Sequence, residues 1–387
     1  MRPASLSLCL ALVLACQSYQ FEEVQPRFLS SRSQSYVIPS EKKPPHLMLV
    51  VDRSGSMTEA VDVSSNGCSQ SGAYDETSTE SCKWNDLKRL MTGDQGFLAT
   101  NASIVNFGLI LFAGDDVCGE GTVASYLGED SEAVQNAKKI GDLLEANKPK
   151  GGTPTALSLN HVFDDVRMRT AEKGRDRIVM LLTDGAPNCN PANASLCRSE
   201  CRAQSVPASC FGPGECRPTF PCAREFPGAG CLDEDGTVAA VRKLADHGIR
   251  TFVIGFGAAT GDKDSDAYRV LDAAAQAGGL PRAQEPRFYQ ADSKDQLSKA
   301  LAELIDVVRR CDYVIPPPPQ DLRQLEVTFV YAKGEVALRP PTAGDAGQPE
   351  WTWNPVTSKV TIQGARCEEI QSGSQGLTVV FRLIDGL

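Results

Sequence analysis

The chain has 387 residues, 14 of them cysteines, and a formal net charge of −10. At roughly 150 residues per domain this allows two domains, or one domain with large insertions. Hydrophobic content of 41% and charged content of 23% exclude global disorder and collagen-like sequence. The acidic balance argues against nucleic acid as the main partner.

Arg2 precedes an apolar run from Leu6 to Cys16. The run is too short to span a bilayer as a helix but fits the apolar region of a secretory signal. Its ending, Val13-Leu14-Ala15-Cys16, resembles a bacterial lipobox. The resemblance implies an exported lipoprotein of the cell envelope, held to the membrane only by lipid on Cys16. An ordinary signal peptide cleaved near Ala15 is the alternative. Residues 17–44 are rich in Ser, Gln, Arg and Pro without sustained periodicity, and read as a flexible tether averaging about 30 Å end to end.

From residue 45 the pattern changes. His46–Asp52, Ile104–Phe112, Ile178–Leu182 and Thr251–Ile254 are short continuous apolar runs, as strands buried on both faces should be. Amphipathic patterns lie between and after them: Leu87, Leu90 and Met91; Val134, Ala137, Ile140 and Leu144; Val238, Val241 and Ala245; Val270, Leu271 and Ala274; and Leu297, Leu301, Leu304, Ile305 and Val308. This alternation predicts an α/β doubly wound fold over 45–310 with a mostly parallel central sheet. Such sheets bind ligands beyond the carboxyl ends of their strands. After the proline run at 316–319, three strand-like segments (Leu325–Tyr331, Lys359–Gln363 and Leu377–Leu383) and no evident helix predict a small β module over 311–387.

Three loops carry the chemistry. Asp52-Arg-Ser54-Gly-Ser56 follows the first strand, Gly151-Gly-Thr153-Pro-Thr155 opens a helix, and Thr183-Asp184-Gly185 follows another strand. Together they offer hydroxyls and carboxylates, hard oxygen donors that suit Mg²⁺ or Mn²⁺ better than zinc or copper. This set resembles the von Willebrand factor type A domain, whose metal-ion-dependent adhesion site combines a DxSxS loop with a distant Thr and a distant Asp. Asp52, Ser54, Ser56, Thr153 and Asp184 fill the five positions, and Val253-Ile-Gly-Phe-Gly257 adds to the likeness. The resemblance implies that Ser54, Ser56 and Thr153 ligate Mg²⁺ or Mn²⁺, with Asp52 and Asp184 close by, directly or through water. One coordination position would be left for an acidic residue of a protein ligand. It also implies that ligand exchange couples to a shift of the last helix, Lys294 to Arg309. The implied function is non-catalytic surface adhesion. A disulfide-stabilised structural protein of the envelope is the alternative.

Two insertions border these loops. Residues 57–82 carry Glu59, Asp62, Asp75, Glu76 and Glu80 and no Lys or Arg. They read either as a site for a second cation or basic partner, or as a solvated loop closed by Cys68 and Cys82. Residues 186–232 carry seven cysteines, seven prolines and four arginines (Arg198, Arg202, Arg217, Arg224), and read as a disulfide-ordered cap that sets partner specificity or as a stabilising insert. Setting aside Cys9 and Cys16 leaves Cys68, Cys82, Cys118, Cys189, Cys197, Cys201, Cys210, Cys216, Cys222, Cys231, Cys311 and Cys367, an even set suited to pairing after export. Cys118 is the candidate partner for the odd cysteine of the insert, and Cys311 with Cys367 the candidate staple between the β module and the main domain. Zinc on the dense cluster is the competing reading, weakened by the absence of histidine there. None of His46, His161 and His247 lies in a nucleophile motif, which sets a Ser-His-Asp hydrolase aside.

Overall fold

The computed structural model describes residues 34–39, 43–61, 67–70, 73–75, 81–114, 119–172, 175–190, 232–309, 311–315, 324–341, 348–355, 358–371 and 377–383. Cys16, Cys118, most of the cysteine-rich insert, and Asp62, Glu76 and Glu80 therefore lie outside the described residues.

The strands in chain order are β1 (Gln34–Pro39), β2 (His46–Asp52), β3 (Ser69–Gln70), β4 (Ala73–Tyr74), β5 (Asn106–Phe112), β6 (Thr122–Ser125), β7 (Arg177–Thr183), β8 (Ile249–Phe256), β9 (Tyr289–Ala291), β10 (Cys311–Val314), β11 (Leu325–Tyr331), β12 (Gly334–Ala337), β13 (Trp351–Asn354), β14 (Lys359–Ile362) and β15 (Thr378–Leu383). Six of them form the central sheet in the order β6-β5-β2-β7-β8-β9, parallel except for the antiparallel β6. The expected α/β doubly wound fold is what the chain adopts.

Burial on both faces explains the apolar runs. All seven residues of β2, β5 and β7 are buried. Alternate residues of β2 point to opposite faces: Leu47, Leu49 and Val51 into one core, Met48 and Val50 into the other. Helices Lys83–Met91, Ala133–Ala146 and Lys294–Arg309 cover the first face, and Thr155–Asn160, Glu234–Asp246 and Asp266–Ala277 the second. Among the expected helix faces, Leu87, Met91, Ala137, Ile140, Leu144, Val270, Leu271, Ala274, Leu297, Leu301, Leu304, Ile305 and Val308 are buried. Val134 is not: it is 61% exposed at the start of its helix. In Glu234–Asp246 the buried stripe is Thr237, Ala240, Val241 and Leu244, one position away from the expected Val238 and Ala245.

The order of the strands places the site. The chain leaves β2 for β5 and β6 on one side, then crosses back to β7 on the other side of β2. Connections from the C-terminal ends of β2 and β7 therefore run to opposite faces, opening a crevice between them. Asp52 ends β2, and Asp184 follows the end of β7.

The C-terminal part differs from the sequence reading in three ways. First, residues 17–44 are not a tether throughout: Gln34–Pro39 pairs antiparallel with β15, in a sheet ordered β1-β15-β11-β12. Its segment, Gln-Ser-Tyr-Val-Ile-Pro, has the β-branched and aromatic content of an edge strand ending in proline. Second, the module has a helix, Ala365–Gln371, whose few residues are too short for a helical period to show. Third, the Cys311–Cys367 disulfide forms inside the module rather than joining it to the main domain. Cys311 opens β10 in the sheet β10-β14-β13 and is buried with Trp351, Phe329 and Phe381. The module is thus built from both sides of the α/β domain in sequence, β1 before it and β10–β15 after it. Among the described residues no helix is long and apolar enough to cross a membrane.

Candidate metal-binding site

Backbone hydrogen bonds tie the three loops together before any side chain is considered. Gly55 N donates to Gly151 O at 3.0 Å, and Lys150 N to Arg53 O at 2.6 Å. Asn188 closes the other seam: its Oδ1 accepts from Thr153 N at 2.8 Å, and its N donates to Thr153 O at 3.2 Å. Gly151 adopts φ +76°, a left-handed conformation that glycine takes without steric cost.

The candidate residues converge within this frame. Ser54 Oγ and Ser56 Oγ lie 3.0 Å apart, and Ser56 Oγ donates to Asp184 Oδ1 at 2.9 Å. Thr153, Ser56 and Asp184 line one cavity of about 160 Å³ together with Glu59, Asn188 and Asp266. The Thr153 side chain is buried at the cavity wall. Asp52 sits behind the serines, fully buried. One of its oxygens accepts from Ser54 N at 2.7 Å and the other from Thr183 Oγ1 at 2.5 Å. With both oxygens engaged by Ser54 N and the Thr183 hydroxyl, Asp52 does not line the cavity. Burial, then the nearby Asp184 carboxylate, pushes its pKa well above the usual carboxylate range.

One residue of the site is absent from the sequence reading. Lys83, 3% exposed, donates from Nζ to Asp184 Oδ2 at 2.8 Å and to Glu59 Oε2 at 3.0 Å, with Ser56 O at 3.4 Å. Burial alone would lower the ammonium pKa, but the two carboxylates outweigh it and raise it. Lys83 is the first residue of helix Lys83–Met91, where a cation opposes the helix dipole. Its place is fixed from several sides: the Cys68–Cys82 disulfide ends at its neighbour, and Lys83 N donates to Glu59 O at 3.0 Å. Gly257, at φ +107°, leaves room for its stem, since a Cβ there would lie 2.7 Å from Lys83 Cε. The only sequence signal was a lysine at a helix start directly after an insertion without basic residues.

The donor set fits a hard divalent cation. The carboxylates of Asp184 and Glu59 face the one ammonium of Lys83, and the Asp266 carboxylate lines the same cavity, beside the hydroxyls of Ser56 and Thr153. Among the described residues no three His, Cys, Asp or Glu side chains are grouped to hold a metal, so serine and threonine hydroxyls would complete any coordination. No histidine lines the cavity. His46 is buried at the opposite end of β2, His161 pairs with Asp164 and Glu120, and His247 bonds the Lys243 carbonyl at a helix end.

Both insertions reach the cavity. Glu59 comes from the acidic loop, whose expected Cys68–Cys82 closure is present. Ala186, Pro187, Asn188 and Leu232 come from the two ends of the cysteine-rich segment. Cys189 is buried and disulfide-bonded; the proposed role of Cys118 lies outside the described residues.

No protein-family model matches the chain, and no curated protein matches it. Solved structures do. The pilus adhesin SpaC from Lactobacillus rhamnosus GG, in an open conformation, is 16% identical over 91% of this chain and 42% of its own, with a TM-score of 0.44. In a second crystal form of that adhesin the chain spans 39% of its length. The manganese-loaded TRAP protein of Plasmodium vivax is 16% identical over 71% of this chain and 78% of its own, with a TM-score of 0.37. The PilB minor pilin from Streptococcus sanguinis is 16% identical over 69% and 61%, with a TM-score of 0.43.

Proposed function

We propose that this chain is a von Willebrand factor type A-like binding protein that engages a protein ligand through a divalent metal. The observation that carries the reading is the meeting of Ser56, Thr153 and Asp184 at one cavity at the sheet's switch point, with the Ser54 hydroxyl 3.0 Å from that of Ser56 and Asp52 pinned behind. In this reading the hydroxyls of Ser54, Ser56 and Thr153 and the carboxylate of Asp184 hold Mg²⁺ or Mn²⁺. The metal supplies a Lewis-acid centre for an acidic side chain of the partner. Neutral hydroxyls donate little charge, so the ion keeps its attraction for that carboxylate. Asp52 orients Ser54 through its backbone N–H without occupying a coordination position. The protein acts by binding and has no catalytic role. It is exported and lipid-anchored through Cys16, with adhesion at the cell surface as its setting.

A second reading, a structural envelope protein with no bound metal, is favoured by one observation: Asp184 already has a cationic partner in Lys83. Calorimetric titration of the full chain with Mn²⁺ separates the two. The metal-site reading predicts one saturable site that Asp184→Ala weakens roughly a hundredfold or more, since loss of a partner behind a metal ligand alone costs about 10–100-fold. Equal titrations for the two proteins would leave the structural reading.

A further inference from the structure

We propose that Lys83 is a built-in competitor for the metal, an ammonium that holds Asp184 and must be displaced from it when a divalent cation binds. The inference rests on the metal-site reading and adds a control element to it. Asp184 has two oxygens, and both are taken: Oδ1 by Ser56 Oγ at 2.9 Å, and Oδ2 by Lys83 Nζ at 2.8 Å. The serine hydroxyl can rotate and offer its lone pairs instead. The ammonium has no lone pair and repels a cation, so it must move.

The surroundings give it a place to go. Nζ already reaches Glu59 Oε2 at 3.0 Å, and the Glu59 side chain is 57% exposed. A swing toward Glu59 keeps one ion pair while freeing Asp184. The stem packs against Gly257, filling the space that a side chain there would take. The lysine is held at its Cα end by the Cys68–Cys82 disulfide and the Lys83 N to Glu59 O bond, so its head alone would move. In consequence the site binds metal more weakly than its donors alone would allow. A partner carboxylate that strengthens metal binding would then favour the displaced state of Lys83.

The test is Mn²⁺ titration of the full chain as wild type, Lys83→Met and Lys83→Arg, with Asp184→Ala as reference. Competition predicts at least tenfold tighter Mn²⁺ binding for Lys83→Met and near wild-type binding for Lys83→Arg. Binding by Lys83→Met alone, with none by wild type, supports competition still more strongly. Unchanged or weaker binding by Lys83→Met, while wild type binds and Asp184→Ala does not, overturns the Lys83 proposal and leaves the metal site standing. No binding by any variant overturns both. A measurement without substitution covers the case in which Lys83→Met fails to fold. Acetylation of Lys83 by an amine-reactive reagent, read by peptide mass spectrometry, should rise when Mn²⁺ is added, and an unaltered labelling rate contradicts displacement.

Discussion

At the residue scale, buried Lys83 pairs with Asp184 and Glu59 at the cavity, while Asp52 is held by Ser54 N and the Thr183 hydroxyl. His46, at the far end of β2, is buried and kept neutral, its Nδ1 3.4 Å from Arg167 O. Burial, reinforced by the positive charge of Arg175, lowers its pKa to about 4. Because the folded value lies below the unfolded 6.5, the unfolded chain takes up the proton first as pH falls. Stability is therefore undiminished above pH 6.5 and declines between pH 6.5 and 4 by about 3 kcal/mol, then levels off. Urea unfolding of wild type against His46→Gln checks this. The difference between the two proteins should change over that interval, and a constant difference contradicts it. Asp52, Ser54, Ser56, Thr153 and Asp184 were legible in the sequence because each is a distinctive residue on a strand end or helix start. Lys83 was not, since a lysine is read by default as solvated and only the fold brings Glu59 and Asp184 to it.

At the element scale, continuous apolar runs identified β2, β5, β7 and β8 because each is covered on both faces. The short strands β6, β9, β12 and β13 escaped notice. They have only three or four residues, and β12 is exposed throughout, so no hydrophobic period marks them. β1 escaped for a different reason: its partner is more than 300 positions away, and its short β-branched and aromatic stretch lies inside a polar segment that reads as a tether. Its removal makes a specific prediction. Deleting residues 1–42 turns β15 from an inner strand into an edge. The amides of Thr378–Leu383 that face β1 should exchange roughly tenfold faster or more, while those facing β11 keep their protection. Uniform protection in the truncated chain would show that β1 contributes nothing to the module.

At the scale of the whole molecule, the α/β domain lies in sequence between β1 and β10, so both of its chain ends lead into the β module. β1 leads through residues 40–45 into the start of β2, whereas the candidate site lies beyond the strand's other end. The cavity is thereby left to its own loops and to the two insertions, Glu59 from one and Asn188 and Leu232 from the ends of the other. Around the cavity the carboxylates of Asp184, Glu59 and Asp266 outnumber the ammonium of Lys83. In the proposed function a divalent ion offsets that excess on serine and threonine oxygens. Anomalous diffraction from crystals of the full chain grown with Mn²⁺ tests it most directly. One strong peak is expected beside Ser54, Ser56, Thr153 and Asp184, with the Lys83 ammonium turned to Glu59. Fully ordered loops with no anomalous peak, and Lys83 still bonded to Asp184, would contradict it.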